Sequence, residues 1–228
     1  MKFFDALIDG VSDLTASSDK KSFSKGAPWR DAGGNQMIMR RDTAFELEGF
    51  GFNLVTSRDI ADGIILIGDD LDKIRADRRF ARISVVQIDD VEDEQKAYNL
   101  IKKIDYVKYH SFPDGYMMRS TSRSHKESVR VSKNAIKDGA DFGKIGSLLI
   151  EKYREIPAVK GVKIIFVTAP DADYSAIESI AEKNHAIAET LNHIMNSVRF
   201  DCDTCNLKPI CDEVEGMKEL HFKNSSEM

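Results

Sequence analysis

Three cysteines near the end of the sequence have the spacing that most clearly indicates chemistry. Cys202, Cys205 and Cys211 form the pattern C-x2-C-x5-C and are all the cysteines among the 228 residues. Two thiolates separated by two residues can bind one metal centre through a tight turn, and the third can close the site from beyond a short loop containing Pro209. The pattern therefore predicts a metal site within residues 201–222.

The identity of the metal depends on the remaining ligand. Thiolate sulfur favours zinc or an iron–sulfur cluster. A cubane cluster has four irons to ligate, so three cysteines leave one position open. The candidates for it are Asp201, Asp212, His221 or an external ligand. A zinc ion completed by His221 and reduced thiols that only pack a C-terminal turn are the alternatives.

A second candidate site is a cluster of basic side chains in the middle of the sequence. Alternate residues of a strand share a face, so Arg119 and Arg123 would point together toward an anion. Arginine binds phosphate through paired hydrogen bonds and also attracts acidic proteins. A solvated face with local ion pairs, for example to Glu127, is the structural alternative. The cluster consists of Arg119, Arg123, His125, Lys126, Arg130 and Lys133.

The overall composition limits the class of protein. The chain has a mass of 25.6 kDa, and 42% of its residues are hydrophobic and 31% charged. These values are typical of a globular protein with one domain of moderate size. The net charge of −5 and the pI near 5.6 disfavour bulk binding to nucleic acid.

The distribution of apolar residues indicates neither a membrane span nor an export signal. No apolar run approaches the roughly 20 residues that a spanning helix needs. Asp5, Asp9 and Asp13 interrupt the N-terminal apolar stretch, which an export signal would keep continuous. The cysteines are clustered, whereas a disulfide framework would scatter them. We therefore expect a cytoplasmic protein.

The sequence divides into five segments. Apolar residues at spacings of three and four predict an amphipathic helix within residues 1–16. Residues 17–43 lose this periodicity and are expected to form a linker or a loop laid over the domain. Residues 44–200 form the main domain and residues 201–222 the cysteine segment. Residues 223–228 are expected to fray.

The main domain contains alternating strand-like and helix-like segments, with glycines marking breaks between strands. Expected strands lie at residues 44–47, 50–55, 63–67, 83–88, 116–121, 129–131 and 162–168, and expected helices at 92–104, 132–137, 143–155 and 171–198. The continuous apolar run at 162–168 suits a central strand. The pattern predicts an α/β fold, or alternatively an α+β fold, with a mixed sheet of about five or six strands flanked by helices.

Two polar groupings have simple structural explanations. Three aspartates between residues 69 and 72 follow an expected strand and are interpreted as caps for the next helix. His185, Glu189 and His193 recur every four residues beside an apolar stripe and are interpreted as a solvated row. The sequence contains no glycine-rich nucleotide-binding loop.

Several stretches of the main domain resemble one known family. They are FELEG at residues 45–49, IILIGDDLD at 64–72, RVSKNAIKDG at 130–139, IGSLLIEKY at 145–153 and VKIIFVT at 162–168. They resemble the middle domain of acetyl-CoA synthase, the beta subunit of the carbon monoxide dehydrogenase/acetyl-CoA synthase complex. The resemblance covers roughly residues 40 to 211.

The resemblance also concerns the cysteine segment. In the family, the middle domain leads into the segment that binds the nickel–iron–sulfur centre, whose ligands begin with a C-x2-C pair. Cys202 and Cys205 occupy the matching place, but the family's third cysteine comes after a longer gap than the one before Cys211. The fourth cluster cysteine and the later Cys-Gly-Cys nickel site have no counterpart. The resemblance therefore implies a shortened homologue with a simpler metal centre, and bond formation at nickel is not carried over.

The residues and the resemblance together give one leading function and two alternatives. We expect an acetyl-CoA-synthase-like accessory or redox protein of anaerobic one-carbon metabolism, with an iron–sulfur cluster of the [4Fe–4S] type. The first alternative is a reduced acetyl-CoA synthase subunit, an acyltransferase of the CO-methylating type that is active only with a partner. It would bind the phosphates of coenzyme A through Arg119, Arg123 and Arg130. The second is a zinc-stabilised interaction module. Expected partners are a CO dehydrogenase-type subunit or a ferredoxin, the latter docking on the same arginines.

Overall fold

The computed structural model of the protein describes most of the chain. The described residues are 2–16, 18–39, 44–91, 93–120, 125–196, 205–214, 216–217 and 219–220. They form a mixed β-sheet with helices packed on it, so the expected α/β class is confirmed. None of the described helices is both long enough and apolar enough to cross a membrane.

The described part of the chain contains a single sheet of seven strands. The strands are β1 (Lys20–Phe23), β2 (Ala44–Thr56), β3 (Gly63–Ile67), β4 (Arg78–Ile88), β5 (Tyr116–Ser120), β6 (Lys126–Ser132) and β7 (Val159–Val167). Their order is β1-β3-β7-β4-β2-β6-β5. The pairs β3/β7 and β2/β4 are parallel and the other four are antiparallel. Strand β7 has a neighbour on each side, as its continuous apolar run predicts.

Six α-helices and one short 3-10 helix (Val107–Tyr109) lie in the described residues, and the first five α-helices are close to the positions that the sequence predicts. The α-helices are α1 (Asp5–Ala16), α2 (Glu94–Tyr106), α3 (Lys133–Lys137), α4 (Phe142–Arg154), α5 (Tyr174–Met195) and α6 (Lys208–Glu213). Ser132 caps α3 as expected, by accepting a hydrogen bond from the N–H of Asn134 at 3.2 Å. Asp93, Asp141 and Asp173 cap α2, α4 and α5 in the same way. Capping side chains thus fix where four of the helices begin.

Strand β2 is continuous where the sequence indicated a glycine break. Residues 44–47 and 50–55 were expected as separate strands, but Gly49 and Gly51 lie within β2. A Cβ atom on Gly49 would lie 1.7 Å from the carbonyl oxygen of Phe80, and one on Gly51 would lie 2.1 Å from Oε2 of Glu127. The two glycines are therefore sites of close approach within the sheet and not breaks in it.

The region 17–43 contains a strand that the sequence did not indicate. Strand β1 pairs antiparallel with β3 and forms one edge of the sheet, which explains why the sheet has more strands than expected. Its first three residues are exposed and only Phe23 is partly buried, without alternation in polarity, so its structure is determined by pairing with β3 and not by a local pattern. Further along, Trp29 is buried and its indole Nε1 donates to the carbonyl oxygen of Asp114 at 2.7 Å.

The helices cover both faces of the sheet. Helix α4 lies on one face, where the backbone at Gly146 packs closely on Ile64 and Phe166. Helices α1 and α5 lie together on the other face: Val11 and Ile177 line a small cavity with Ile83 of β4. The predicted amphipathic character of α1 is confirmed, since its apolar side is buried. Helix α5 carries the chain from this face toward the cysteine segment.

Candidate functional site

Two of the three cysteines lie in the described residues, before and within a short helix. Cys205 precedes α6, and its carbonyl oxygen accepts a hydrogen bond that closes the turn leading into that helix. Cys211 lies in α6, and both cysteines are half-buried. Cys202 and the candidate fourth ligands Asp201 and His221 lie outside the described residues. The metal site therefore stays a prediction, and the structure gives the positions of two of its three thiol donors.

Helix α6 forms where the sequence suggested only a loop around Pro209. Proline is tolerated in a first helical turn because the N–H that it lacks has no helical partner there. On the adjacent helix, Nζ of Lys183 lies 3.0 Å from Oε2 of Glu213. The segment is also anchored by apolar side chains that pack on the core, which are Ile210, Val214, Met217 and Leu220. Cys211 therefore lies in a segment that is attached to the main domain on both of its sides.

A groove of about 630 Å³ separates α1 from α6 above α5. Its wall includes Arg58, whose guanidinium lies 3.1 Å from a carboxylate oxygen of Asp5 and 2.6 Å from one of Asp9. The hydrogen bond from Arg58 lowers the pKa of Asp9. The charges of Arg58, Lys183 and their carboxylate partners are thus paired within the wall, so these groups offer no excess charge that would select a ligand.

The structure describes two of the three candidate arginines, and it places them on one face of the sheet. Arg119 of β5 lies opposite Ser128 of β6, and Ser128 is two residues from Arg130 along β6. Arg119 is exposed, whereas Nε of Arg130 lies 3.5 Å from Oε2 of Glu46 on β2. Arg123 lies outside the described residues. Arg119 thus has its side chain in solvent, while the charge of Arg130 is partly compensated.

Glu127 lies in the core, on the side of the sheet opposite to these arginines. It forms a bidentate ion pair with Arg82 of β4, with Nε–Oε1 at 2.9 Å and Nη2–Oε2 at 2.6 Å. Both side chains are about 1% exposed or less. The alternative in which Glu127 forms a solvated ion pair with the basic cluster is therefore wrong. Burial alone would lower the pKa of Arg82, but the carboxylate of Glu127 raises it.

Neutral polar groups surround this pair. The Nη1 of Arg82 donates to Oγ of Ser84 at 2.8 Å, and the hydroxyl of Ser120 donates to Glu127 at 3.0 Å. The hydroxyl of Tyr153, from α4, donates to the side-chain oxygen of Asn53 at 2.6 Å. Burial raises the pKa of Tyr153, which keeps its hydroxyl protonated as a donor. The pair is thus solvated by fixed protein dipoles in place of water.

Sequence reasoning missed this pair because the local pattern indicates the opposite arrangement. Arg82 and Ser84 alternate with Ile83 and Val85, which is typical of a strand with one face in water. In the structure, α4 covers the face that carries Arg82. This face is buried only because α4 packs on it, and α4 lies about 60–70 residues later in the chain. No local pattern can indicate a contact over that separation.

The aspartates after β3 cap a helix, but not the one that was expected. No helix follows directly; a turn does, in which the side chain of Asp70 accepts from the N–H of Leu71 at 2.7 Å. The same oxygen accepts from the N–H of Phe142 at 3.0 Å, in the first turn of α4. Burial raises the pKa of Asp70. Its neighbour Asp69 pairs with Arg78 at 2.8 Å, and this hydrogen bond lowers the pKa of Asp69.

The polar row on α5 includes a contact that its spacing did not indicate. Nε2 of His185 lies 3.5 Å from Oε1 of Glu189, as the four-residue spacing allows. The ring of His185 also contacts that of His125, with centroids 4.6 Å apart. His125 has a positive φ of 47°, which few residues other than glycine and asparagine adopt. Burial, with the nearby His185 and Lys108, lowers the pKa of His125 to about 4.

No group of three metal-ligating side chains comes together among the residues that the structure describes. The cysteine segment could offer a metal thiolate sulfur from Cys205 and Cys211 and the carboxylate of Asp212, together with groups at positions not described. Thiolate donors at this spacing fit zinc or an iron–sulfur centre in their chemistry.

Comparison with known families identifies the class to which this fold and these segments belong. Residues 33–172 match the family described as the CO dehydrogenase/acetyl-CoA synthase complex beta subunit. Since the match covers more than half of the chain, the protein belongs to this family, as the resemblance of its strands predicts. The matched region includes β2 through β7, and the cysteine segment lies beyond it. No curated protein matches the chain.

Removing the charge of Glu127 is expected to destabilise the protein strongly. In Glu127→Gln the buried guanidinium of Arg82 loses its counter-charge, so we expect the free energy of unfolding to fall by about 3–5 kcal/mol. Urea unfolding measures this. The matched control is Lys183→Ala, which removes an exposed pair and should cost no more than about 1 kcal/mol. Equal losses in the two variants would contradict the importance of the buried pair.

The histidine contact predicts a loss of stability in mild acid. Between pH values of about 6.5 and 4 the unfolded chain binds a proton at His125 that the folded chain does not, so the free energy of unfolding falls as the pH falls. Asparagine tolerates the positive φ and does not titrate. We therefore expect His125→Asn to lose less stability than the wild type across this range in urea unfolding. Parallel profiles would show that His125 does not contribute.

Proposed function

We propose that the protein is an accessory or redox protein of the acetyl-CoA synthase type, acting in anaerobic one-carbon metabolism with an iron–sulfur cluster in its cysteine segment. The main support is that α6, which carries Cys211, is anchored on the helix that leaves the family domain. The thiols of Cys205 and Cys211 then lie next to a domain whose family belongs to a CO dehydrogenase complex, and Cys202 precedes Cys205 by three residues in the sequence. A [4Fe–4S] cluster is the form that we propose.

The residues around the cysteines have distinct parts in this proposal. An iron–sulfur cluster supplies one-electron transfer when bound. Cys202, Cys205 and Cys211 would hold it, with the last iron taken by Asp201, Asp212, His221 or an external group. Apolar contacts of α6 with the core would fix the position of Cys211 and limit the access of water. Fixed donors and a dry environment are the means by which a protein tunes such a centre.

The family assignment also bears on the partner. Its description names a beta subunit of a complex, so we propose that this chain acts with a CO dehydrogenase-type subunit. The zinc alternative uses the same three cysteines with His221 and would give an interaction module without redox chemistry. An iron–sulfur protein and a zinc protein differ in colour, iron content and sulfide content, so measuring these properties distinguishes the two proposals.

Anaerobic purification with metal analysis tests the proposal. We expect brown protein with visible absorption, iron and acid-labile sulfide, and we expect Cys205→Ser to lose most of the iron because one ligand is removed. Asn206→Ser is the matched control, since it changes an exposed residue in the same turn and should keep the iron.

Other metal contents have definite meanings in this experiment. Colourless protein with one zinc per chain selects the interaction module. Nickel above trace amounts favours the enzyme reading. Metal-free protein whose three thiols react freely with an alkylating reagent in the native state overturns any metal site.

A second candidate function is coenzyme A binding by a reduced acetyl-CoA synthase subunit that is active only with its partner. The observation in its favour is that Arg119 is exposed and shares a sheet face with Arg130. Arg123 completes the proposed set. Because Glu46 already pairs with Arg130, Arg119 would make the larger contribution to binding a phosphate group.

Calorimetric titration with coenzyme A tests this candidate. Arg119→Ala should weaken binding about tenfold, because a charge-assisted hydrogen bond is lost. Arg75→Ala removes an exposed arginine from the turn after β3 and should bind as the wild type does. Identical affinities in all three proteins would remove the phosphate site.

A further inference from the structure

The end of α2 presents an aromatic pair to solvent. Tyr106 is 60% exposed, although it is a large side chain with an apolar ring. The ring of His110 stacks on it, with centroids 4.5 Å apart and an angle of 28° between the planes. The Nδ1 of His110 lies 3.2 Å from the carbonyl oxygen of Tyr106, and its backbone N–H donates to Val107 at 3.0 Å. The pair is therefore rigid before any partner binds.

Positive charge lies next to this pair. Lys102 and Lys103 are exposed in the last two turns of α2. Asp105, in the same turn, pairs with Lys108 at 2.7 Å and accepts from the side-chain amide of Asn53 at 3.4 Å, while its side chain stays 52% exposed. A protein of net charge −5 thus has a local cationic surface at this point.

These side chains form one continuous surface. Asn99, Lys102 and Tyr106 recur at spacings of three and four residues, so they lie on one side of α2, and His110 continues the row. Lys103 flanks it. This surface, the α2 face, consists of Asn99, Lys102, Lys103, Tyr106 and His110.

The first half of α2 lies close to the end of α5. The hydroxyl of Tyr98, on the adjacent side of α2, donates to Oδ1 of Asn192 near the end of α5. Leu220, from the far side of the cysteine segment, lines an apolar cavity of about 110 Å³ with Tyr98 and Met195. The end of α5 and Leu220 are thus next to α2, so a partner bound to the α2 face would lie near Leu220 of the cysteine segment.

We infer that the α2 face is a docking surface for an acidic protein. A rigid, exposed tyrosine is the kind of side chain that dominates binding at protein interfaces, since it loses little conformational freedom on binding. Lysines at its edge would accelerate association with a negatively charged partner. That the partner exchanges electrons rests on the proposed function, whereas docking itself does not.

A polyanion such as RNA fits the α2 face less well. Its affinity comes from many phosphate contacts, each with a lysine or arginine. The α2 face offers two lysines in a protein whose overall charge repels nucleic acid. An acidic protein instead needs few ion pairs when an aromatic contact accompanies them.

The test uses the full-length protein, purified without oxygen, and an acidic ferredoxin as the probe. Binding is measured at low and at high salt for the wild type and for the double variant K102E/K103E. We expect the variant to weaken binding at least about tenfold and to reduce its dependence on salt. Tyr106→Ala should weaken binding at both salt concentrations, because its contribution is not electrostatic.

The matched control is K20E/K21E, which makes the same change of charge on exposed residues of the edge strand β1. It should bind as the wild type does. Equal weakening in the two double variants, no binding by the wild type, or tighter binding of a single-stranded RNA oligonucleotide to the α2 face would each overturn the inference. Iron is measured in every sample: lysine-dependent docking by iron-free protein would refute the proposed function and leave the docking surface intact.

Discussion

The ion pair between Arg82 and Glu127 is the interaction on which the arrangement of the central strands depends. The two residues lie on β4 and β6, which are separated by β2, and their side chains meet above Gly51. A side chain on Gly51 would occupy the space of the carboxylate. A slip of one residue in either register would move one charge to the opposite face and leave the other buried without a counter-charge. A buried charge without a counter-charge strongly destabilises the fold. The pair therefore selects one register for three strands.

The two faces of the sheet that these strands form have different roles. Helix α4 covers the ion pair, and its Tyr153 hydrogen-bonds into the same polar cluster. Helices α1 and α5 cover the other face with apolar side chains. Helix α6 and Tyr98 of α2 both contact α5, whereas the last turn of α2 accepts a hydrogen bond from Asn53 of the polar cluster. The polar cluster thus lies on the α4 side of the sheet and helix α6 on the α5 side, while α2 contacts both.

The parts of the fold that sequence could predict are those decided by local pattern. The apolar run of β7, the stripe of α1 and the cap at Ser132 each contain their own signal. The ion pair joins residues 45 positions apart, and β1 forms only because β3 offers an edge, so neither has a local signature. For the candidate site, sequence indicated the cysteines and the arginines, but it gave no sign that His125 contacts α5 or that Glu127 is buried.

The single tryptophan of the chain lies where one segment crosses the molecule. After β1, at one edge of the sheet, the chain passes over α4, where the N–H of Gly26 donates to Ser147 and that of Trp29 donates to the carbonyl oxygen of Lys144. It then reaches Asp114, just before the strand at the other edge. The indole ring is 7% exposed and lies beneath the guanidinium of Arg30. The fluorescence of Trp29 therefore reports whether this crossing segment is packed on α4. Other optical signals report the backbone as a whole.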